Sequence, residues 1–215
     1  MAHPVYKDSD GKRLPSVTTV LGRFKDSGAL IYWANKMGLE GKTLEDARQP
    51  AMTTGTIVHS MVEFHIKGDA YDPPADTAPE VLAAAQRAFD AFFNWTTQTS
   101  MKITSTEVSL VSPLGFGGTL DAIGEVNGER VLVDWKTSND VYREYLVQMA
   151  AYTHLWETAH LDQPIAGMHL CRFGKEDGSF HHHSYPRSTL DAAWELFPVL
   201  LRAYNLDRDL KKFCK

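Results

Sequence analysis

Residues Phe116–Thr137 read FGGTLDAIGEVNGERVLVDWKT. Two apolar runs flank Asn127-Gly128, a pair that accepts the positive φ angles of a tight hairpin turn. The pattern predicts one strand over 116–126 and its partner over 130–136. Each run delivers an acid, Asp121 and Asp134, and the turn sets the two roughly opposite each other. Side chains alternate along a strand, so Asp134 and Lys136 share a face while Trp135 takes the other. An acid that closes Val131-Leu132-Val133 approaches burial, where it needs a hydrogen-bond partner, a counter-charge or a metal. A carboxylate pair suits a hard divalent cation such as Mg²⁺, and a lysine beside it can orient a water and offset developing charge. Either acid alone reads more readily as a turn cap or a strand-edge residue. Together they point to metal-dependent phosphodiester hydrolysis.

Upstream, 102–111 alternates polar and apolar residues (Ile103, Val108, Leu110) and predicts a further strand. Before it, helical spacing recurs three times. The stretch 27–38 turns Leu30, Ile31, Trp33, Ala34 and Met37 inward. The stretch 51–67 does so with Ile57, Val58, Met61, Val62, Phe64 and Ile66, and Gly68 ends it. The stretch 78–95 carries Val81, Leu82, Ala85, Ala88, Phe89, Phe92 and Phe93. Thr43–Arg48 is read as a separate helical turn. Residues 1–15 form a hairpin-like start turning at Asp10-Gly11, and Ser16 or Thr18 caps a short helix. Downstream, 140–160 is helical through Tyr142, Leu146, Met149, Ala150, Thr153 and Trp156. Strands follow over 165–173 and 179–185, joined near Asp177-Gly178. A single closing helix over 188–206 takes its cap from Ser188 or Asp191. The class is α/β: a mixed central sheet flanked by helices. The chain reads as one domain, with an N-terminal helical segment (1–50), a core (51–185) and a C-terminal helix (186–215).

With 215 residues, 43% of them apolar, and five tryptophans, the chain can bury a sizeable core and is not of a disordered class. A net charge of −5 does not announce a nucleic-acid binder. It leaves room for a narrow basic track beside an acidic, ion-neutralised centre. Cys171 and Cys214 lack metal-ligand spacing and imply no disulfide framework. No signal-peptide core and no span-length apolar run is present. The expectation is a cytoplasmic protein with no membrane association. His181-His182-His183 lies between strand-like residues and does not read as a tag.

Two helical pairs add to the picture. His59 and Glu63, four apart, meet on one helix face. A lone helical histidine is more often structural than a ligand, yet His59 sits between core positions and Glu63 can hold its far nitrogen or stand behind a metal. Gln148 and Tyr152 form a second such pair on the helix after the Asp-Trp-Lys strand. They read either as a core-edge polar pair or as groups that project over the site and hold a phosphate.

Gly55-Thr56-Ile57-Val58-His59, Gly118-Thr119-Leu120-Asp121, Asp134-Trp135-Lys136-Thr137 and Gln148-Met149-Ala150-Ala151-Tyr152, in that order, resemble the RecB-like, phage-type exonuclease branch of the PD-(D/E)XK nuclease superfamily. The resemblance spans roughly residues 51–155. It implies a restriction-endonuclease-like core and a metal-dependent deoxyribonuclease, an exonuclease on single-stranded or end-exposed DNA in replication, recombination or repair. His59, Asp121, Asp134 and the Trp135 backbone carbonyl would hold Mg²⁺ or Mn²⁺. Glu107 is a further acid of the set, read equally as a surface strand residue. Lys136 would assist the water nucleophile, and Gln148 and Tyr152 would position the strand. DNA contacts are expected from Ser16, Thr18, Arg23, Lys25, Trp33, Lys36, Thr137 and Arg143, although each alone reads as a solvated or core residue. Lys12 and Arg13, and a C-terminal group of Arg208, Lys211, Lys212 and Lys215, are further basic candidates. The partner is DNA, with replication or recombination proteins as possible company. A structure-specific endonuclease and a non-catalytic nucleic-acid-binding module are the competing readings.

Overall fold

The computed structural model describes residues 4–25, 28–138, 140–174 and 179–214, without the side chains of 29, 30, 44 and 46–53. One sheet runs in the order β1-β2-β3-β4-β5. The strands are β1 (Lys102–Ser112), β2 (Phe116–Val126), β3 (Glu129–Thr137), β4 (Gly167–Phe173) and β5 (Phe180–Pro186). The first three form an antiparallel meander. Its second turn is the Asn127-Gly128 pair, with φ of 54° and 80°. β4 runs parallel to β3, which demands a crossover, and α5 (Arg143–Ala159) supplies it. β5 returns antiparallel to β4.

Helices cover both faces. Val131, Val133 and Trp135 of β3 join Cys171 and Phe173 of β4 in a cluster with α3 (Leu44–Lys67) and α4 (Pro79–Thr99). Leu132 and Met168 point the other way. They pack with α1 (Val17–Arg23), α5, α6 (Arg187–Trp194) and α7 (Leu196–Leu210). This is the two-period pattern that a sheet buried on both sides requires.

β2 breaks that pattern at Asp121. Leu120 and Ile123 both belong to the α5-side cluster and Ala122 to the other, although residues three apart on a regular strand face opposite sides. The β2–β3 ladder ends at Ala122↔Val133. Beyond it the two strands part, and β3 continues beside β4 alone. On β1, Glu107 falls between the Thr106↔Ala122 and Val108↔Leu120 pairs. Its positive φ of 51° is rare for a residue with a side chain. The sheet is irregular where its acids gather.

Several expectations are corrected. The separate turn at 43–48 and the helix over 51–67 are one element, α3. The single closing helix is two, α6 and α7, meeting at Glu195. Pro198 accounts for the break: it has no N–H to give Trp194, and its ring crowds that carbonyl. Neither Ser188 nor Asp191 caps α6, whose N-cap is Pro186 without a side-chain bond; Asp191 binds Arg187 instead. Phe64, Phe93 and Ile31 are 37%, 45% and 64% exposed. Phe64 lies two residues, roughly 200° of helix, from buried Val62, and settles edge-on against Tyr71. Phe93 meets His65 in the same way. Ile31 lies on α2 (Gly28–Leu39), which packs on α3 with only part of its surface. Leu30 and the Asp177-Gly178 joint fall outside the described residues.

The start of the chain forms the expected small hairpin, bridged at Lys7↔Arg13. Asp8 accepts the N–H groups of Asp10 and Lys12. Ser16 caps α1 through the Thr19 N–H at 2.9 Å. No helix among the described residues is long and apolar enough to cross a membrane.

Candidate active site

Gly55 explains how α3 reaches the sheet. A Cβ there would lie 2.5 Å from Thr137 Oγ1, so only glycine allows this approach to the end of β3. One turn further on, His59 faces β3, with Nε2 3.2 Å from the Trp135 carbonyl oxygen. Neighbouring ligands of one octahedral ion with bonds of ~2.1 Å sit about 3 Å apart, so the two atoms can serve one cation.

Asp121 completes the group. Ligand atoms of His59, Glu107 and Asp121 all lie within 4.8 Å of one another. Asp121 Oδ2 also accepts the Trp135 N–H at 3.0 Å. That amide lies just past the end of the β2–β3 ladder, and the carboxylate takes it in place of a backbone carbonyl. Burial, and then the charges of Asp121 and Glu63, raise the Glu107 carboxyl to about 7; Lys67 offsets part of this. Glu63 does not hold the His59 ring. It turns along the helix and pairs with Lys67.

Asp134 is 1% exposed. Its cationic neighbour is Lys136, Nζ to Oδ2 2.5 Å. Desolvation raises its pKa despite that lysine, and the Asp121 charge adds to the shift. Asp134 therefore stands beside the His59–Glu107–Asp121 group rather than within it, close enough to feel Asp121. Lys136 is held between Asp134 and the ring of Tyr145, 5.3 Å from its centroid. Tyr145 had drawn no notice in the sequence, where it is one more aromatic on a helix.

One imidazole, two carboxylates and a backbone carbonyl form an oxygen-rich set with no thiolate. Such a set suits Mg²⁺ or Mn²⁺. Asp134, buried and paired with Lys136 through one oxygen, suits a neighbouring cation for the same reason.

Gln148 and Tyr152 are both buried, and Gln148 Nε2 donates to the Tyr152 hydroxyl at 2.8 Å. Burial, and then Asp121, push the Tyr152 phenol above its ordinary range. Gly118 makes room for the ring, since a Cβ there would stand 2.7 Å from Tyr152 Cε1. Tyr152 therefore orients Gln148 and is not itself presented to solvent.

The expected DNA contacts are less concentrated. Arg23 is paired with Asp207, and Lys25 with Glu144. Ser16 Oγ is shared with the hydroxyls of Thr18 and Thr19. Thr137 lies against Gly55. Trp33 is half-buried, while Lys36 and Arg143 are exposed. In the C-terminal group, Lys211 and Lys212 pair with Asp207 and Asp209; Lys215 lies outside the described residues.

The sequence model of the PD-(D/E)XK nuclease superfamily matches residues 19–205. No curated protein matches significantly by sequence. Among solved structures, a protein from Eubacterium rectale named as a candidate exonuclease aligns at TM-score 0.48 and 14% identity, over 71% of this chain and 68% of that one. LHK-Exo, solved in complex with dAMP, aligns at TM-score 0.35 and 14% identity, over 76% and 93%.

Proposed function

The chain belongs to the PD-(D/E)XK nuclease superfamily, and from that premise we propose that it is a metal-dependent deoxyribonuclease acting as an exonuclease on single-stranded or end-exposed DNA. The observation that carries the chemistry is the cluster of His59, Glu107 and Asp121 at the parting of β2 and β3, with the buried Asp134–Lys136 pair beside it. His59, Glu107, Asp121 and the Trp135 carbonyl, with Asp134 beside them, would hold Mg²⁺ or Mn²⁺. The ion would supply a water of lowered pKa and stabilise charge on the phosphate oxygens.

The residues do the rest. Lys136 Nζ, fixed by Asp134 and Tyr145, points its donors at the attacking water and at the oxygen that gains charge. A bound cation would favour the deprotonated form of Glu107, against the burial and crowding that raise its carboxyl. Gln148, oriented by Tyr152, contacts the phosphate or the nucleotide beside it. Acting on free ends is the reading that the histidine-bearing, RecB-like pattern favours. A role in replication, recombination or repair follows from it.

The test uses end-labelled linear single strands, linear duplex and closed circles, with Mg²⁺, Mn²⁺ or EDTA, alongside Lys136→Ala. Metal-dependent loss of linear DNA with circles spared is the expected result, and it gives the polarity. Cut circles move the assignment to an endonuclease. Intact DNA under every condition, with DNA still bound, leaves a binding module.

A further inference from the structure

We infer that Arg172 and His181 continue Lys136 into a row of basic side chains across three strands that grips the DNA phosphate next to the scissile one. The inference rests on the nuclease reading for what lies at the end of the row, and on strand register for the row itself.

Lys136 on β3 is the ladder partner of Arg172 on β4, and Arg172 is the partner of His181 on β5. Ladder partners share a face. It is the α5 side, since Cys171, Phe173 and Trp135 occupy the opposite one. The next row back reads Asp134, Leu170, His183. A second cationic side chain, Arg172, therefore stands one strand spacing, ~4.8 Å, from the reaction lysine, and the His181 imidazole stands about twice as far.

The charges in this row are unequally compensated. Lys136 is committed to Asp134. Arg172 is half-buried and donates from Nη1 to the Ser138 carbonyl at 2.8 Å. A carbonyl aims a guanidinium without neutralising it. Among the described residues no carboxylate pairs with Arg172 or His181. Asp140, three residues past the end of β3, spends Oδ1 on the Val141 N–H. A guanidinium aimed by a carbonyl, with no carboxylate partner among the described residues, is an arrangement that can bind phosphate bidentately. The sequence hides it, because Arg172 and His181 stand in separate strands, 36 and 45 residues beyond Lys136.

The experiment measures binding of a fluorescein-labelled single-stranded oligonucleotide by anisotropy, in EDTA, from low to moderate salt. Arg172→Gln is expected to weaken binding about tenfold and to reduce the slope of log K against log salt by ~0.7, the value of one single-strand phosphate contact. Arg172→Lys restores the slope. His181→Arg, at an exposed position, steepens it by a similar amount. In Mg²⁺, cleavage by Arg172→Gln shows its loss in KM rather than kcat. An unchanged slope and Kd in a folded Arg172→Gln protein, together with an inert His181→Arg, overturns the row. Failure of the nuclease reading looks different: wild-type protein then binds DNA with an Arg172-dependent slope and leaves it uncut in both Mg²⁺ and Mn²⁺.

Discussion

On one face of β3, Val131, Val133 and Trp135 are at most 3% exposed, and Trp135 meets Phe92 edge-on at 5.1 Å. On the other, Asp134 is 1% exposed and paired with the Lys136 ammonium. The two sets are equally dry and differ in what burial does to them. For the apolar set, loss of water is the stabilising term. For Asp134 it is a cost that Lys136 only partly offsets. One strand thus carries the fold on one side and a cation-seeking charge on the other, and the difference can be tested by exchanging neutral for charged and large for small.

The largest effect is expected from Asp134→Asn. It keeps the shape and removes the charge, so cleavage should fall by at least about 10³-fold while the melting temperature holds or rises. A clear drop in melting temperature would show that the carboxylate supports the fold. Trp135→Ala is the mirror case and should cost about 3–5 kcal/mol in chemical denaturation. Unaltered stability there would mean that the cluster with α3 and α4 closes around the gap. His59→Ala, which removes a proposed ligand and leaves the carboxylates, should raise the Mn²⁺ needed for half-maximal activity about 10- to 100-fold. An unchanged metal requirement would take His59 out of the site.

Acidity sharpens the same contrast. Burial and crowding raise the carboxyls of Glu107, to about 7, and of Asp134 above their ordinary range. Between the ordinary carboxylate range and about 7, the folded metal-free protein then holds protons that the unfolded chain has released. Its stability therefore falls as pH rises through that window and levels off above it. Metal needs the deprotonated groups, so Mg²⁺ or Mn²⁺ should raise the melting temperature more at pH 7.5 than at pH 5.5. Equal melting of the metal-free protein at both values would show the site uncrowded.

The hairpin was legible because its signals are local. Asn127-Gly128 fixed the turn, period two fixed the faces, and spacing alone put Asp134 and Lys136 side by side. Gly55 and Gly118 stood in the pattern without a stated reason; each proves to be the point where an element approaches too closely for a side chain. What escaped is what local spacing does not encode. Arg23 reads as a free cation until the fold brings up Asp207, 184 residues away. Glu107 reads equally as a surface residue, until a left-handed backbone and its place opposite Asp121 bring it into the cluster. Pro198 was visible throughout, and the apolar period over 188–206 concealed its consequence.

The smallest effect concerns Gly118, on the α5 side, and shows whether the Gln148–Tyr152 pair is fixed from the sheet. An added methyl would press on Tyr152 Cε1 at 2.7 Å and Leu155 Cδ1 at 3.0 Å. A tyrosine held by Gln148 cannot swing aside freely, so Gly118→Ala should cost about 1–3 kcal/mol. In a Tyr152→Ala background the methyl enters space the ring has left, and most of that cost should vanish. The coupling in the double-mutant cycle is thus expected to approach the single-mutant penalty. Additive losses would place the strain on Leu155 instead, and the ring would then owe its position to Gln148 and the α5 core without help from β2.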